Sequence, residues 1–125
     1  MKTDISTTQA PQAIGPYSQA ILAGNLLFIS GQLGLTPKGF MAAPEAAIQA
    51  RQALENIKAI LAAAGLSMAD VVKTTVFLVD LNDFGAVNQL YEEYFQAPYP
   101  ARACVQVAAL PKGGRVEIEA VAVKP

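Results

Sequence analysis

The chain has 125 residues, 53% of them hydrophobic and 15% charged, and a formal net charge of −1 from 9 Lys or Arg against 10 Asp or Glu. That length suits a single domain, expected over residues 1–125, whose core holds without disulfides or metal. With no His, one Cys and no run of basic residues, the composition excludes Ser-His-Asp and Cys-His dyads and His-ligated or multi-thiolate metal sites, and it argues against electrostatic binding of nucleic acid.

The charged fraction is low for a globular protein, a hint that apolar faces are buried between subunits. Neither a secretory leader nor an apolar run of ~18 residues is read in the chain, so the expectation is a soluble, cytoplasmic, metal-free domain with no membrane partner.

In chain order, residues 1–13 read as a polar lead-in arm. The runs 14–22 and 26–32 flank Gly24-Asn25 and read as a β-hairpin. Thr36-Pro37-Lys38-Gly39 is a turn signal. Ala47, Ala50, Leu54, Ile57 and Leu61 recur at spacings of 3 and 4, which predicts a helix over 45–64 ended by Gly65 in the left-handed conformation. Residues 71–79 are β-branched and continuous and predict a strand buried on both faces. Phe84, Val87, Leu90, Tyr91, Tyr94 and Phe95 form the stripe of a second helix, with Asp80 or Asn82 as its cap and Asp83 in its first turn. Strands are expected at 101–110 and 115–123 around Pro111-Lys112-Gly113-Gly114. The expected class is α+β in the order β-β-α-β-α-β-β, with both helices on one sheet face. The other face then needs a cover, most simply a second copy of the same sheet.

Few residues offer chemistry. Arg102 opens an apolar strand, and a guanidinium there is costly to bury alone: it reads as an internal salt bridge, a strand-end arginine reaching solvent, or a bidentate grip on a substrate carboxylate. Cys104 lies two residues on; with no His to activate it, it reads as a wall rather than a nucleophile. Glu117 and Glu119 share parity with Val121 and Val123, so a carboxylate there can sit beside apolar surface and act as general acid or base. Ser30-Gly31 closes a strand at a point where a ligand or backbone can approach. Tyr17, after Gly15-Pro16, is either core or the mouth of a cleft. Lys73 reads as a solvated lysine rather than a Schiff-base one.

Several segments together resemble the RidA (YjgF) family: Ala13-Ile14-Gly15-Pro16-Tyr17-Ser18-Gln19-Ala20, Ser30-Gly31-Gln32, Lys73 to Leu78, Asp80-Leu81-Asn82-Asp83-Phe84, Pro100 to Val105 and Val116-Glu117-Ile118. The resemblance covers nearly the whole chain. It implies a homotrimer of chorismate-mutase-like fold, sheets inward and helices outward, with active sites in clefts between subunits. It also implies cofactor-free hydrolysis of reactive 2-imino acids, and their enamine tautomers such as 2-aminoacrylate, to 2-oxo acids and ammonia. By resemblance Arg102 binds the substrate carboxylate and Glu117 activates the water, while Ser30, Gly31 and Cys104 line the pocket and Tyr17 and Asn88 lie near it. The alternative is a non-enzymatic, chaperone-like or regulatory trimer using the same clefts. A ribonuclease reading also attaches to the family name, and the net charge argues against it.

An antiparallel hairpin of 101–110 with 115–123 would place Arg102, Cys104 and Glu117 on one sheet face. In that register Arg102 and Glu117 stand roughly 20 Å apart along the strands. If both serve one small substrate, they are expected to come from different subunits.

Overall fold

A computed structural model describes residues 1–125. It contains six strands and two helices: β1 (Lys2–Ile5), β2 (Ala20–Ala23), β3 (Leu26–Leu33), α1 (Ala46–Ala63), β4 (Val71–Leu78), α2 (Phe84–Glu92), β5 (Ala101–Gln106) and β6 (Val116–Val123). They form one mixed sheet in the order β1-β2-β3-β6-β4-β5, giving the single-domain α+β architecture. No helix is long and apolar enough to cross a membrane.

Two expectations need correction. The lead-in arm is partly ordered as β1, which pairs antiparallel with β2, so there are six strands rather than five. The expected hairpin of the last two strands does not form. β5 lies parallel to β4 at the sheet edge, because a helical crossover such as α2 returns the chain parallel to the strand it left. The chain then passes back beyond β4, and β6 inserts antiparallel between β3 and β4. The apolar alternation of β6 is the pattern of a central strand: Val116, Ile118, Ala120 and Ala122 are buried.

The β2–β3 hairpin forms as expected across Gly24-Asn25, with Ala23 facing Leu26 and Gly24 at φ +61°. Gly65 ends the α1 segment at φ +77°. Asp80 accepts a hydrogen bond from the Asn82 backbone N–H at 2.9 Å and so caps the short 3-10 turn that leads into α2. Asp83 instead binds Arg115 at 2.9 Å, tying the start of α2 to the start of β6.

The buried face of α1 is wider than the predicted stripe and includes two polar residues, Gln49 and Asn56. Gln49 donates to the Ala43 carbonyl at 2.8 Å and accepts from the Arg115 N–H at 2.8 Å. Asn56 donates to the Leu35 carbonyl at 2.8 Å. Each satisfies backbone groups that burial would otherwise orphan. The helix approaches so closely that a Cβ on Gly34 would lie 2.5 Å from the Cα of Gln49.

All of this core lies on one side of the sheet. The other side carries Leu26, Phe28 and Val105, each more than a third exposed, together with Phe77, Val121 and Val123. Phe28 faces Val121, and Phe77 faces both Val105 and Glu117.

Replacing Gly34 with Ala forces helix and strand backbone apart, not merely a side chain. It should destabilise the fold by about 1–3 kcal/mol, read as a lower urea midpoint. A Gly65→Ala control, which meets no atom but keeps the positive φ, should cost about 1 kcal/mol.

Candidate functional site

The candidate side chains fall into two groups, on opposite faces of the sheet. The first is built by the β4–α2–β5 unit. Arg102 lies opposite Thr74 of β4, whose buried hydroxyl is 2.8 Å from the Tyr91 hydroxyl of α2. The guanidinium of Arg102 lies over the Tyr91 ring at 4.8 Å and near the Phe84 ring at 5.4 Å. It donates to the Asn88 side-chain oxygen at 2.7 Å. Tyr91 is held further by Phe95, with ring centroids 4.6 Å apart. The chain's two ion pairs are Arg51–Glu93 and Arg115–Asp83, so Arg102 has no carboxylate partner. Of the three readings of this arginine, the internal salt bridge is therefore absent, and the side chain is exposed at the start of β5. Asn88, Tyr91, Arg102 and their neighbours Glu92, Tyr99 and Pro100 enclose an open cavity of about 360 Å³.

Cys104 is on the same face as Arg102, opposite the buried Val76, and packs against the core. Burial pushes its thiol pKa up, opposed by the nearby Arg102 charge. A raised thiol pKa means less thiolate at neutral pH, which agrees with the reading of Cys104 as a wall.

The second group lies on the open face. Glu117 alternates with the fully buried Val116 and Ile118 and so points away from the helices. It packs against Gly31, where an added Cβ would stand 2.9 Å from its carboxyl carbon. The β3–β6 register slips between Ile29 and Gln32, and this bulge sets Ser30 and Gly31 beside the glutamate. The Ser30 hydroxyl donates to the Ser18 carbonyl at 2.6 Å, which ties the bulge to the segment carrying Tyr17. Buried Gln19 fixes that segment through bonds to the Thr7 N–H and the Pro11 carbonyl, each 2.7 Å. Tyr17 itself is exposed, beside a polar cleft of about 440 Å³ that includes Thr7, Gln12 and Ser18. Burial, and secondarily the charge of Glu119, raise the pKa of Glu117 above the ordinary carboxylate value of 4.5. Lys73 is exposed, as expected.

The shared face expected for Arg102, Cys104 and Glu117 is thus incorrect for Glu117. Arg102 is level with Thr74 and Glu117 with Phe77, on strands flanking β4. Three residues along and two strands across separate their Cα atoms by roughly 14 Å, and the sheet lies between their side chains. Sequence reasoning placed Tyr91 in the core and missed it as the platform for Arg102; its spacing of three from Asn88 on α2 was the available signal. It also missed Gln19 as the anchor of the Tyr17 segment, and Glu92 and Tyr99 as cavity walls.

Residues 7–124 match the family described as Endoribonuclease L-PSP. A goat (Capra hircus) protein named 2-iminobutanoate/2-iminopropanoate deaminase is 59% identical over 121 residues, spanning 96% of this chain and 88% of that protein. The protein of the same name from Escherichia coli K12 is 52% identical over 127 residues, covering 99% of each. Among solved structures, E. coli TdcF with bound serine superposes with a TM-score of 0.93 at 50% identity, over 98% of this chain and 99% of that one.

The raised pKa of Glu117 has a thermodynamic consequence. The folded chain holds this proton more tightly than the unfolded chain, so the group's contribution to stability is complete below pH 4.5 and is lost as pH rises through the higher folded value. Glu117→Gln should therefore flatten the fall of unfolding free energy above pH 4.5, and its urea midpoint at pH 7 should be no lower than the parent's at equal protein concentration.

Proposed function

The chain belongs to the endoribonuclease L-PSP family, which is the RidA (YjgF) family, and from that membership we propose that it is a hydrolytic deaminase of reactive 2-imino acids. The substrates are small 2-imino acids and their enamine tautomers; the products are 2-oxo acids and ammonia. One observation carries the reading onto this chain: a guanidinium over an aromatic ring, bonded to a neutral amide, with no ion-pair partner of its own. Such a fork is free to take a substrate carboxylate by two parallel charge-assisted bonds.

The chemistry asks little of the protein. The carbon of a protonated imine is already electrophilic. Arg102 anchors the carboxylate and so fixes the orientation of C2. Glu117, as carboxylate, takes a proton from water as the C2–O bond forms and the C=N π pair moves onto nitrogen, and it then gives that proton to the amine nitrogen. The resulting carbinolamine collapses: its hydroxyl proton passes to the Glu117 carboxylate, the O–H pair forms the C=O bond, and the C–N bond breaks to release ammonia. A carboxyl group with a raised pKa suits this shuttle, because its carboxylate is a stronger base toward the attacking water than a free glutamate. No step needs a cofactor.

In this reading Arg102, Asn88 and Cys104 of one subunit meet Glu117, Gly31, Ser30 and Tyr17 of another. Support comes from the opposite faces that Arg102 and Glu117 occupy, and from the apolar open face of the sheet, which monomers rarely leave bare at such extent. Packing three such faces against one another gives the homotrimer and brings the two half-sites together at each subunit boundary. The reading places the protein in the cytoplasm. Net charge of −1 gives the endoribonuclease description of the family no electrostatic footing on this chain.

The decisive assay is enzyme-dependent hydrolysis of freshly generated 2-aminoacrylate above its spontaneous rate; a ligand-binding or chaperone-like trimer gives none. Arg102→Ala should lower kcat/KM by about 10- to 150-fold, the worth of a hydrogen-bonded charge at about 1.5–3 kcal/mol. Arg102→Lys should not restore it, because the planar fork is gone. The acid limb of kcat/KM should fall as pH drops through the raised pKa of Glu117, and Glu117→Gln should abolish that limb. Near-parental turnover by Arg102→Ala would remove the carboxylate clamp from the account.

A further inference from the structure

The cavity beside Arg102 holds a second charged residue. Glu92 lies four positions after Asn88 on α2, on the same helix stripe and about 6 Å further along the axis. It lines the cavity with Asn88, Tyr91, Tyr99, Pro100 and Arg102. It takes no part in the chain's two ion pairs. Its neighbour Glu93 is committed to Arg51 at 3.3 Å. The two formal charges lining this cavity are therefore Arg102 and Glu92, and neither is in an ion pair.

The cavity is larger than the reacting part of the substrate. At about 360 Å³ it has room for roughly a dozen waters, whereas 2-iminopropanoate has about six heavy atoms. The space beyond the reacting atoms is shared between a substrate side chain and the neighbouring subunit's half of the site. Tyr99, Pro100 and Glu92 line the same cavity as Arg102, and Glu92 is the one carboxylate among its lining residues.

Resting on the deaminase reading of Arg102, we propose that Glu92 is a specificity-determining residue that sets the charge of the accepted side chain: it admits neutral and cationic side chains and rejects a second carboxylate. Like charges at ~5 Å in the intermediate dielectric of a cleft repel enough to cost about tenfold or more in affinity. Rejection of the second carboxylate is the repulsive element that a clamp built on one arginine lacks by itself, since Arg102 attracts any carboxylate offered to it.

The test compares two substrates within each protein. kcat/KM is measured for 2-iminopropanoate and 2-iminosuccinate, generated in place by amino-acid oxidases, with the parent, Glu92→Gln and Glu92→Lys. The parent should favour the monocarboxylate by about tenfold or more; Glu92→Gln should narrow that ratio about three- to tenfold, and Glu92→Lys further. In parallel, calorimetry measures binding of L-serine and L-aspartate to the same three proteins. An unmoved substrate ratio and an unmoved serine-to-aspartate ratio in both variants overturn the filter, while turnover of 2-iminopropanoate leaves the deaminase reading standing. A shifted binding ratio without turnover by any of the three proteins supports the filter and overturns the deaminase reading instead.

Discussion

The guanidinium of Arg102 lies over the ring of Tyr91, and the residues around it hold it there without neutralising it. An internal carboxylate would have satisfied Arg102 and closed it to any ligand. The chain supplies a neutral amide from Asn88 and aromatic faces from Tyr91 and Phe84 instead. Tyr91 is in turn bolted to the sheet by the buried Thr74 hydroxyl. The β4–α2–β5 crossover exists, for the purposes of function, to hold these residues in one stack. Cation–π contacts of this kind stabilise a charge while leaving its hydrogen-bonding edge free.

The sheet imposes the complementary constraint. A half-buried glutamate with a raised pKa needs room beside it, and Gly31 at the β3 bulge provides that room by having no Cβ. Yet Glu117 points to the face that the helices do not cover, while Arg102 points to the face that they do. The alternation of side chains along β-strands makes this separation unavoidable once β6 is central and β5 is at the edge. The bare apolar face around Phe28, Phe77 and Val121 shares its side of the sheet with Glu117, so whatever covers that face also covers the glutamate. In the proposed trimer one contact buries the apolar surface and completes the site.

Much of this was legible from residue patterns. The 3-and-4 spacing of Ala50, Leu54, Ile57 and Leu61 gave α1, and Gly24-Asn25 gave the first hairpin, because both signals are local. Arg102 stood out as a charge at the head of an apolar strand. What pattern reading missed was non-local. Whether residues 101–106 pair with β4 or with β6 depends on where α2 delivers the chain, and the turn residues at 111–114 mimic a hairpin signal although Lys112 and Gly113 serve a longer crossing. The wrong pairing also set Arg102 and Glu117 roughly 20 Å apart on one face, whereas they stand roughly 14 Å apart with the sheet between their side chains. Gln49 and Asn56 hid for a related reason. A polar residue within a helix looks solvent-facing until the backbone groups it serves are known, and those belong to the loops at 33–43 and the start of β6.

The central claim is that Arg102 and Glu117 act on one substrate from two different chains. Subunit complementation tests it most directly. Arg102→Ala and Glu117→Ala proteins, each impaired alone, are mixed under conditions that exchange subunits, and mixed oligomers are verified by native mass spectrometry. Imine hydrolysis in the mixture should rise above the sum of the two proteins measured separately, since some subunit boundaries then pair an intact Arg102 with an intact Glu117. Confirmed mixed oligomers with no such rise would contradict the claim.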